Sequence, residues 1–171
     1  MSSAIGVSNG AVYHMFASRA ALLGRVWLRA GYRFLKTQTA LVDQALSASV
    51  RRAGVEAVVA AADAPVVFAE QYPDSSRLLL TVRREELLKS FLPNEIEIEL
   101  RELDALLISL LTRLAVVIWD RKDTGAIDTI TTCLMDLPTA VLLHRDRLGN
   151  KTARKHLHAA VRAVLEVGPP P

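Results

Sequence analysis

Residues 6–23 read GVSNGAVYHMFASRAALL and predict two helices separated by a short turn. Ser8 is suited to begin the first helix, because a serine hydroxyl accepts a hydrogen bond from the unpaired N–H groups of a helix's first turn. Ser18 is suited to begin the second helix for the same reason. We therefore predict a small helix over 8–16, a break at Ala17-Ser18 and a long helix over 18–47.

The small helix has one apolar face, and its other face indicates contact with a polyanion. This second face holds small, polar and aromatic side chains and no acidic group: Asn9, Gly10, Tyr13 and His14. Such side chains suit phosphates and base edges. Arg19 then stands at the start of the next helix, where a cation opposes the helix dipole. A bound phosphate would be attracted both by the arginine and by the helix N-terminus.

Charge is distributed unevenly along the 171 residues, which carry a net charge of +3. The first 42 residues contain five basic residues and no acidic one, whereas the remainder contains 16 basic and 18 acidic residues. This asymmetry predicts a small surface that faces a polyanion, on a nearly neutral body. A chance cluster of solvated charges on one helix is the alternative.

Helical periodicity extends over nearly the whole chain, and no convincing strand pattern interrupts it. Leu, Val and Ala supply most of the apolar residues, which make up 51% of the chain, and aromatic residues make up only 5%. We expect further helices over 51–71, 75–91, 94–121, 127–148 and 151–167, with a kink at Pro138. The sequence therefore predicts an all-α fold.

No catalytic site, metal site or cofactor is predicted, and we do not expect an enzyme. Cys133 lacks a flanking signature, and His156 and His158 lie on different sides of one helix. A single cysteine and the absence of a signal peptide favour a cytoplasmic protein. The apolar run 103–119 contains polar residues, so we interpret it as a buried helix and expect no membrane partner.

The stretch 6–23 resembles the helix-turn-helix signature of TetR-type transcriptional regulators. The matching positions are Gly6, Val7, Ser8, Gly10, Tyr13, His14, Phe16, Ser18, Leu22 and Leu23. Arg19 replaces the common lysine and keeps its charge, whereas Ala17 stands where proline is frequent. Regulators of this family have a first helix before this point, so we expect that this chain lacks the N-terminal helix of the DNA-binding module.

The resemblance implies two parts, a partial DNA-binding module over 1–36 and a helical effector-binding and dimerisation domain over 37–171. It implies a DNA-binding regulator, most often a repressor, that acts as a homodimer on a near-palindromic operator and is released by a small, largely apolar effector. Ser8, Tyr13 and Arg19 are expected at phosphates. Asn9, Gly10 and His14 are expected near base edges.

The same resemblance places an effector pocket among the middle helices and a subunit interface on the last two. Candidate pocket residues are Phe68, Tyr72, Phe91, Arg113 and Trp119. Candidate interface residues are Ile130, Leu134, Leu137, Val141, Leu157, Val161 and Val164. Ordinary packing within one chain is the alternative for both sets. The alternative function is a truncated helical dimer that senses a ligand or a partner but no longer binds DNA.

Overall fold

The fold is all-α in a computed structural model that describes residues 9–48, 52–84, 87, 92–144 and 146–171, with side chains from Arg19 onward. These residues contain no strand and form seven helices. The helices are α1 Asn9–Ser47, α2 Ala53–Ala62, α3 Ala64–Gln71, α4 Pro73–Thr81, α5 Asn94–Trp119, α6 Thr124–Leu143 and α7 Lys151–Val167. The predicted all-α class is thereby confirmed, whereas the predicted helix-turn-helix head is not shown.

Helix α1 is continuous over 39 residues, so the predicted break at Ala17-Ser18 is wrong. A serine can cap a helix, but it does not force one to end. Ala17 and the alanines at positions 20 and 21 have the highest helix propensity of any residue, and no proline or glycine interrupts this segment. The helix therefore continues through Ser18.

Helix α1 packs alongside α5 at two glycines. A Cβ on Gly24 would lie 3.0 Å from Cγ2 of Ile96, and a Cβ on Gly31 would lie 2.7 Å from Cδ2 of Leu103. From the first contact to the second, the residue number rises by seven in both helices, so α1 and α5 run parallel. The absent side chains on α1 therefore set how closely the two helices approach.

The predicted helix over 51–71 is divided at Asp63 into α2 and α3. Pro65 is at the beginning of α3 and has no N–H to donate, so the α2 hydrogen-bond ladder cannot continue through it. The N–H groups of Val66 and Val67 both reach the carbonyl of Asp63, at 3.0 and 3.3 Å. Asp63 therefore ends one helix and begins the next.

Asp123 caps the beginning of helix α6, because its carboxylate accepts a hydrogen bond from the N–H of Ala126 at 3.1 Å. Its first part, Thr124–Thr131, is α-helical, and two π-helical turns follow, Thr132–Asp136 and Thr139–Leu143. Pro138, where we expected a kink, separates the two π turns. The local irregularity therefore takes the form of widened turns on either side of the proline.

By length and composition, α6 is also a helix that could cross a membrane. Apolar core helices share these properties, and residues of α6 pack against α2 and α7. Among the described residues, no other helix combines this length with this apolar composition.

Four of the seven predicted interface residues lie in the chain's own core. Ile130, Leu157 and Val161 have no exposed surface, and Leu134 is 4% exposed. Their place in an interface was therefore wrongly predicted, because a side chain that its own subunit covers has no area left to bury against a partner. The other three residues, Leu137, Val141 and Val164, are half-buried.

Candidate ligand-binding cavity

A cavity of about 420 Å³ lies between α1, α3, α4, α5 and α6. Helix α1 forms one wall with Trp27, Gly31, Phe34, Leu35 and Gln38. The remaining lining residues are Pro65, Phe68, Ser76, Leu79, Leu80, Arg84, Leu103, Asp104, Leu107, Met135 and Leu143. Its size and its apolar lining with a few polar groups are those of a small-molecule site.

Two aromatic rings stiffen the wall between α1 and α3. Phe34 and Phe68 meet edge to face, with their ring centroids 5.3 Å apart and their planes at 88°. This is a preferred arrangement of two aromatic quadrupoles. Phe68 is fully buried, so its contact with Phe34 fixes one apolar surface of the cavity before any ligand arrives.

Most polar groups of the lining have partners within the protein. The indole N–H of Trp27 donates to the carbonyl of Val82 at 3.0 Å, which ties α1 to the residue after α4. Arg84 and Asp104 form an ion pair, and both side chains are about one third exposed. Because these two charges neutralise each other, the described lining has no net charge.

Gln38 is the exception, because it is buried at 2% exposure and only half of its amide is paired. Its Nε2 donates to the carbonyl of Ala61 at 3.0 Å, and its Oε1 has no hydrogen-bond partner. The opposite amide orientation would place two oxygens against each other at Ala61. The oxygen is therefore the atom left unpaired, at a cost of about 1–3 kcal/mol.

The predicted effector residues do not share one pocket. Phe68 lines the cavity, but Tyr72 is 37% exposed and carries the guanidinium of Arg33 over its ring at 4.8 Å. Arg113 pairs on the surface with Asp43 at 2.7 Å.

Trp119 packs against the main core beside the chain's C-terminal segment and takes no part in the cavity lining. Phe91 lies outside the described residues.

The predicted DNA-contacting residues fall at the beginning of α1. Ser8 lies outside the described residues. Asn9, Gly10, Tyr13 and His14 belong to the first turns of α1, and only their backbone is described. Arg19 is exposed. The structure thus places the described members of this group toward one end of α1, and none of them lines the cavity.

Sequence reasoning missed Gln38, although its signal is present in α1. The buried positions of that helix from Arg19 onward are 24, 28, 30, 31, 35, 38 and 42, and all except Ala30 alternate in steps of four and three. Gln38 is the one amide in this otherwise apolar stripe. A polar residue at such a position indicates either a structural hydrogen bond or a binding site. In Gln38 the amide nitrogen makes a structural hydrogen bond, and the amide oxygen has no partner.

A separate, partly buried ion cluster joins the end of α2 to α7. Asp63 is 6% exposed, and its carboxylate accepts from Nε of Arg154 at 2.7 Å. Its Oδ1 also lies 3.0 Å from Nε2 of His158. The hydrogen bond that Arg154 donates to Asp63 raises the pKa of Arg154, so this guanidinium stays charged. The cluster is a structural link, since the cavity lining includes none of its members.

Comparison with known proteins found no match among protein-family models, curated proteins or solved structures.

Proposed function

We propose that this chain is a TetR-like, DNA-binding transcriptional repressor that a small, largely apolar effector releases from its operator. The cavity supports the effector, because it is apolar and of suitable size. The signature over 6–23 and the lack of acidic residues in the first 42 positions support DNA binding. In this proposal Ser8, Tyr13 and Arg19 hold phosphates, and Asn9, Gly10 and His14 approach base edges.

One observation carries the proposal: the same helix forms a wall of the cavity and bears the predicted DNA contacts. Five cavity-lining residues lie on α1 between Trp27 and Gln38, and the helix is continuous to Asn9. From Gln38 to Tyr13 is 25 residues, or about 37 Å at 1.5 Å per residue. A tilt of α1 at the cavity therefore displaces the DNA-contacting end by a larger distance.

The proposed regulator is a homodimer, so that two such ends meet successive major grooves about 34 Å apart on a near-palindromic operator. An effector that binds better to a dimer with a different spacing shifts the population away from the DNA-bound form. Binding of the effector then lowers the affinity for the operator, and binding of the operator lowers the affinity for the effector by the same factor. Sedimentation of the free chain tests the dimer directly.

The test of DNA binding is a fluorescence-anisotropy titration against mixed duplexes at several salt concentrations. We expect binding that falls steeply with salt and that Tyr13→Ala and Arg19→Ala weaken. Lys155→Ala is the matched control, because it removes one exposed charge from α7, far along the chain from the proposed interface. No DNA binding by a folded protein would contradict the proposal.

A second candidate function is ligand sensing without DNA binding. The continuity of α1 through Ala17-Ser18 favours it, because a helix-turn-helix needs a turn before the helix that follows its recognition helix. Ligand binding by a folded protein that ignores every duplex would support this candidate.

A further inference from the structure

The unpaired oxygen of Gln38 identifies the kind of molecule that the cavity takes. We propose that its ligand is a neutral, mostly apolar compound that donates one hydrogen bond, from an O–H or N–H group, to Oε1 of Gln38. This inference rests on the proposed function for the presence of an effector and adds the chemistry by which the effector is recognised.

The first step is the orientation of the amide. The carbonyl of Ala61 lies 3.0 Å from Nε2 of Gln38 and accepts only hydrogen bonds, so it holds the nitrogen toward α2. The oxygen then cannot exchange places with the nitrogen without losing this bond. A ligand therefore meets an acceptor at Gln38, and only a donor complements it.

The second step is that the acceptor has no partner in the protein. Oε1 of Gln38 is unbonded and fully buried, and the residue is among those that line the cavity, so a donor reaches this oxygen only by displacing the atoms that cover it. The surroundings are mainly apolar, so a water molecule at this point would lack the two to four polar partners that buried waters have. An O–H or N–H group on an apolar ligand supplies the missing bond and keeps the rest of the cavity dry.

The third step is the charge of the ligand. Arg84 and Asp104 line the same cavity and pair with each other. A charged ligand would have to break this pair or remain without a counter-ion in an apolar site. A neutral alcohol, phenol or amide meets neither obstacle. The edge-to-face pair of Phe34 and Phe68 further suits a flat aromatic body.

The test compares 2-naphthol with 2-methoxynaphthalene by isothermal titration calorimetry, since the two share a ring system and only the first donates a hydrogen bond. We expect the wild-type protein to prefer 2-naphthol by about tenfold, or ~1.4 kcal/mol. Gln38→Met keeps a long unbranched side chain without the acceptor, and we expect it to bind both compounds equally. Gln44→Met changes an exposed glutamine of the same helix and should keep the wild-type preference.

The outcomes separate this inference from the proposed function. Equal wild-type affinities for the two compounds, or a preference that survives Gln38→Met, would overturn the hydrogen-bond proposal and leave an apolar effector in place. No binding of either compound by the wild-type protein would overturn both the proposal and the effector part of the function. The wild-type comparison needs no variant, so a Gln38→Met protein that does not fold leaves the decision intact.

Discussion

Gly31 and Leu103 meet so closely that α1 has no room for a side chain at this position. A Cβ on Gly31 would lie 2.7 Å from Cδ2 of Leu103, and both residues line the cavity. The contact between α1 and α5 and the shape of the cavity therefore depend on the same glycine.

Gly31→Ala should weaken binding of 2-naphthol by about tenfold, because the added methyl group pushes Leu103 aside at the cavity wall, where overpacking costs about 1–3 kcal/mol. Gly24→Ala is the matched control, since it meets Ile96 at a less severe 3.0 Å and neither residue lines the cavity. Calorimetry on the two variants measures the difference. Equal affinities would show that Leu103 yields without reshaping the cavity.

Asp63→Asn should lower the free energy of unfolding by about 1–3 kcal/mol, because it removes the buried carboxylate that accepts hydrogen bonds from the partly exposed Arg154. Asp43→Asn breaks the exposed pair with Arg113 and should cost about 1 kcal/mol or less. Urea unfolding followed by circular dichroism compares the two. Similar losses for both variants would mean that the Asp63 cluster contributes no more than a surface ion pair.

Asp123 should make the stability of the protein depend on acid pH. Hydrogen bonds from Arg121, at 2.7 and 2.8 Å, lower the pKa of Asp123 from 3.8 to about 2. A carboxyl group whose pKa is lower in the folded state stabilises the fold at any pH above its unfolded-state pKa. This stabilisation is lost as the pH falls from about 4 to about 2.

Asp123→Asn tests this dependence, because asparagine still caps α6 but carries no charge for Arg121. Melting temperatures between pH 5 and pH 2 should fall less steeply for Asp123→Asn than for the wild type. Arg121→Gln should flatten the profile in the same way. Parallel profiles for all three proteins would exclude this pair as a source of acid sensitivity.

Cys133 should be inert in the folded protein at pH 8. Burial raises the pKa of its thiol from 9.0 to about 12, and only the thiolate reacts. Labelling with a disulfide reagent should therefore proceed only as fast as the protein opens, and urea should accelerate it. Rapid labelling without urea would contradict the burial of Cys133.

The Cys133 thiol should also make the protein less stable at alkaline pH. A group whose pKa is higher in the folded state than in the unfolded state contributes its full stabilisation below the unfolded-state pKa, which is 9.0 here. This contribution declines as the pH rises toward 12. Cys133→Ala should reduce that decline in denaturant titrations at pH 8 to 11. An unchanged alkaline profile in the variant would assign the decline to other groups.

On DNA, Tyr13→Ala should weaken binding to all duplexes, whereas Asn9→Ala and His14→Ala should mainly relax sequence preference. The proposal places the first residue at phosphates and the other two near base edges, and only base-edge contacts distinguish sequences. Competition between a selected operator and random duplex measures both effects. Equal losses on every duplex for all three variants would contradict this division.

Helical periodicity predicted most of this fold, because side-chain burial repeats with the turn of a helix wherever that helix packs on a core. It failed where a local signal was ambiguous. Ser18 resembles a cap, but its alanine neighbours keep α1 helical. Pro65 belongs to an apolar run, yet its missing N–H divides that run after Asp63.

The cavity was harder to predict, because it is formed by five helices whose mutual arrangement no single stretch encodes. Phe68 was identified from its size and position, but Tyr72 is only one turn further along the chain and points to the surface beneath Arg33. Gln38 was detectable as an amide in a buried apolar stripe. That its oxygen lacks a partner depends on Ala61 of another helix.

The two π turns of α6 each contain one residue more than an α-helical turn would need. Losing that extra residue from Thr132–Asp136 would convert the π turn into an α-helical turn and leave the residues after it facing the same way. Leu143 would then keep its place in the cavity wall. A single-codon deletion at this point should therefore be tolerated, whereas the same deletion within the α-helical part Thr124–Thr131 would rotate everything after it by about 100° and remove Leu143 from the wall.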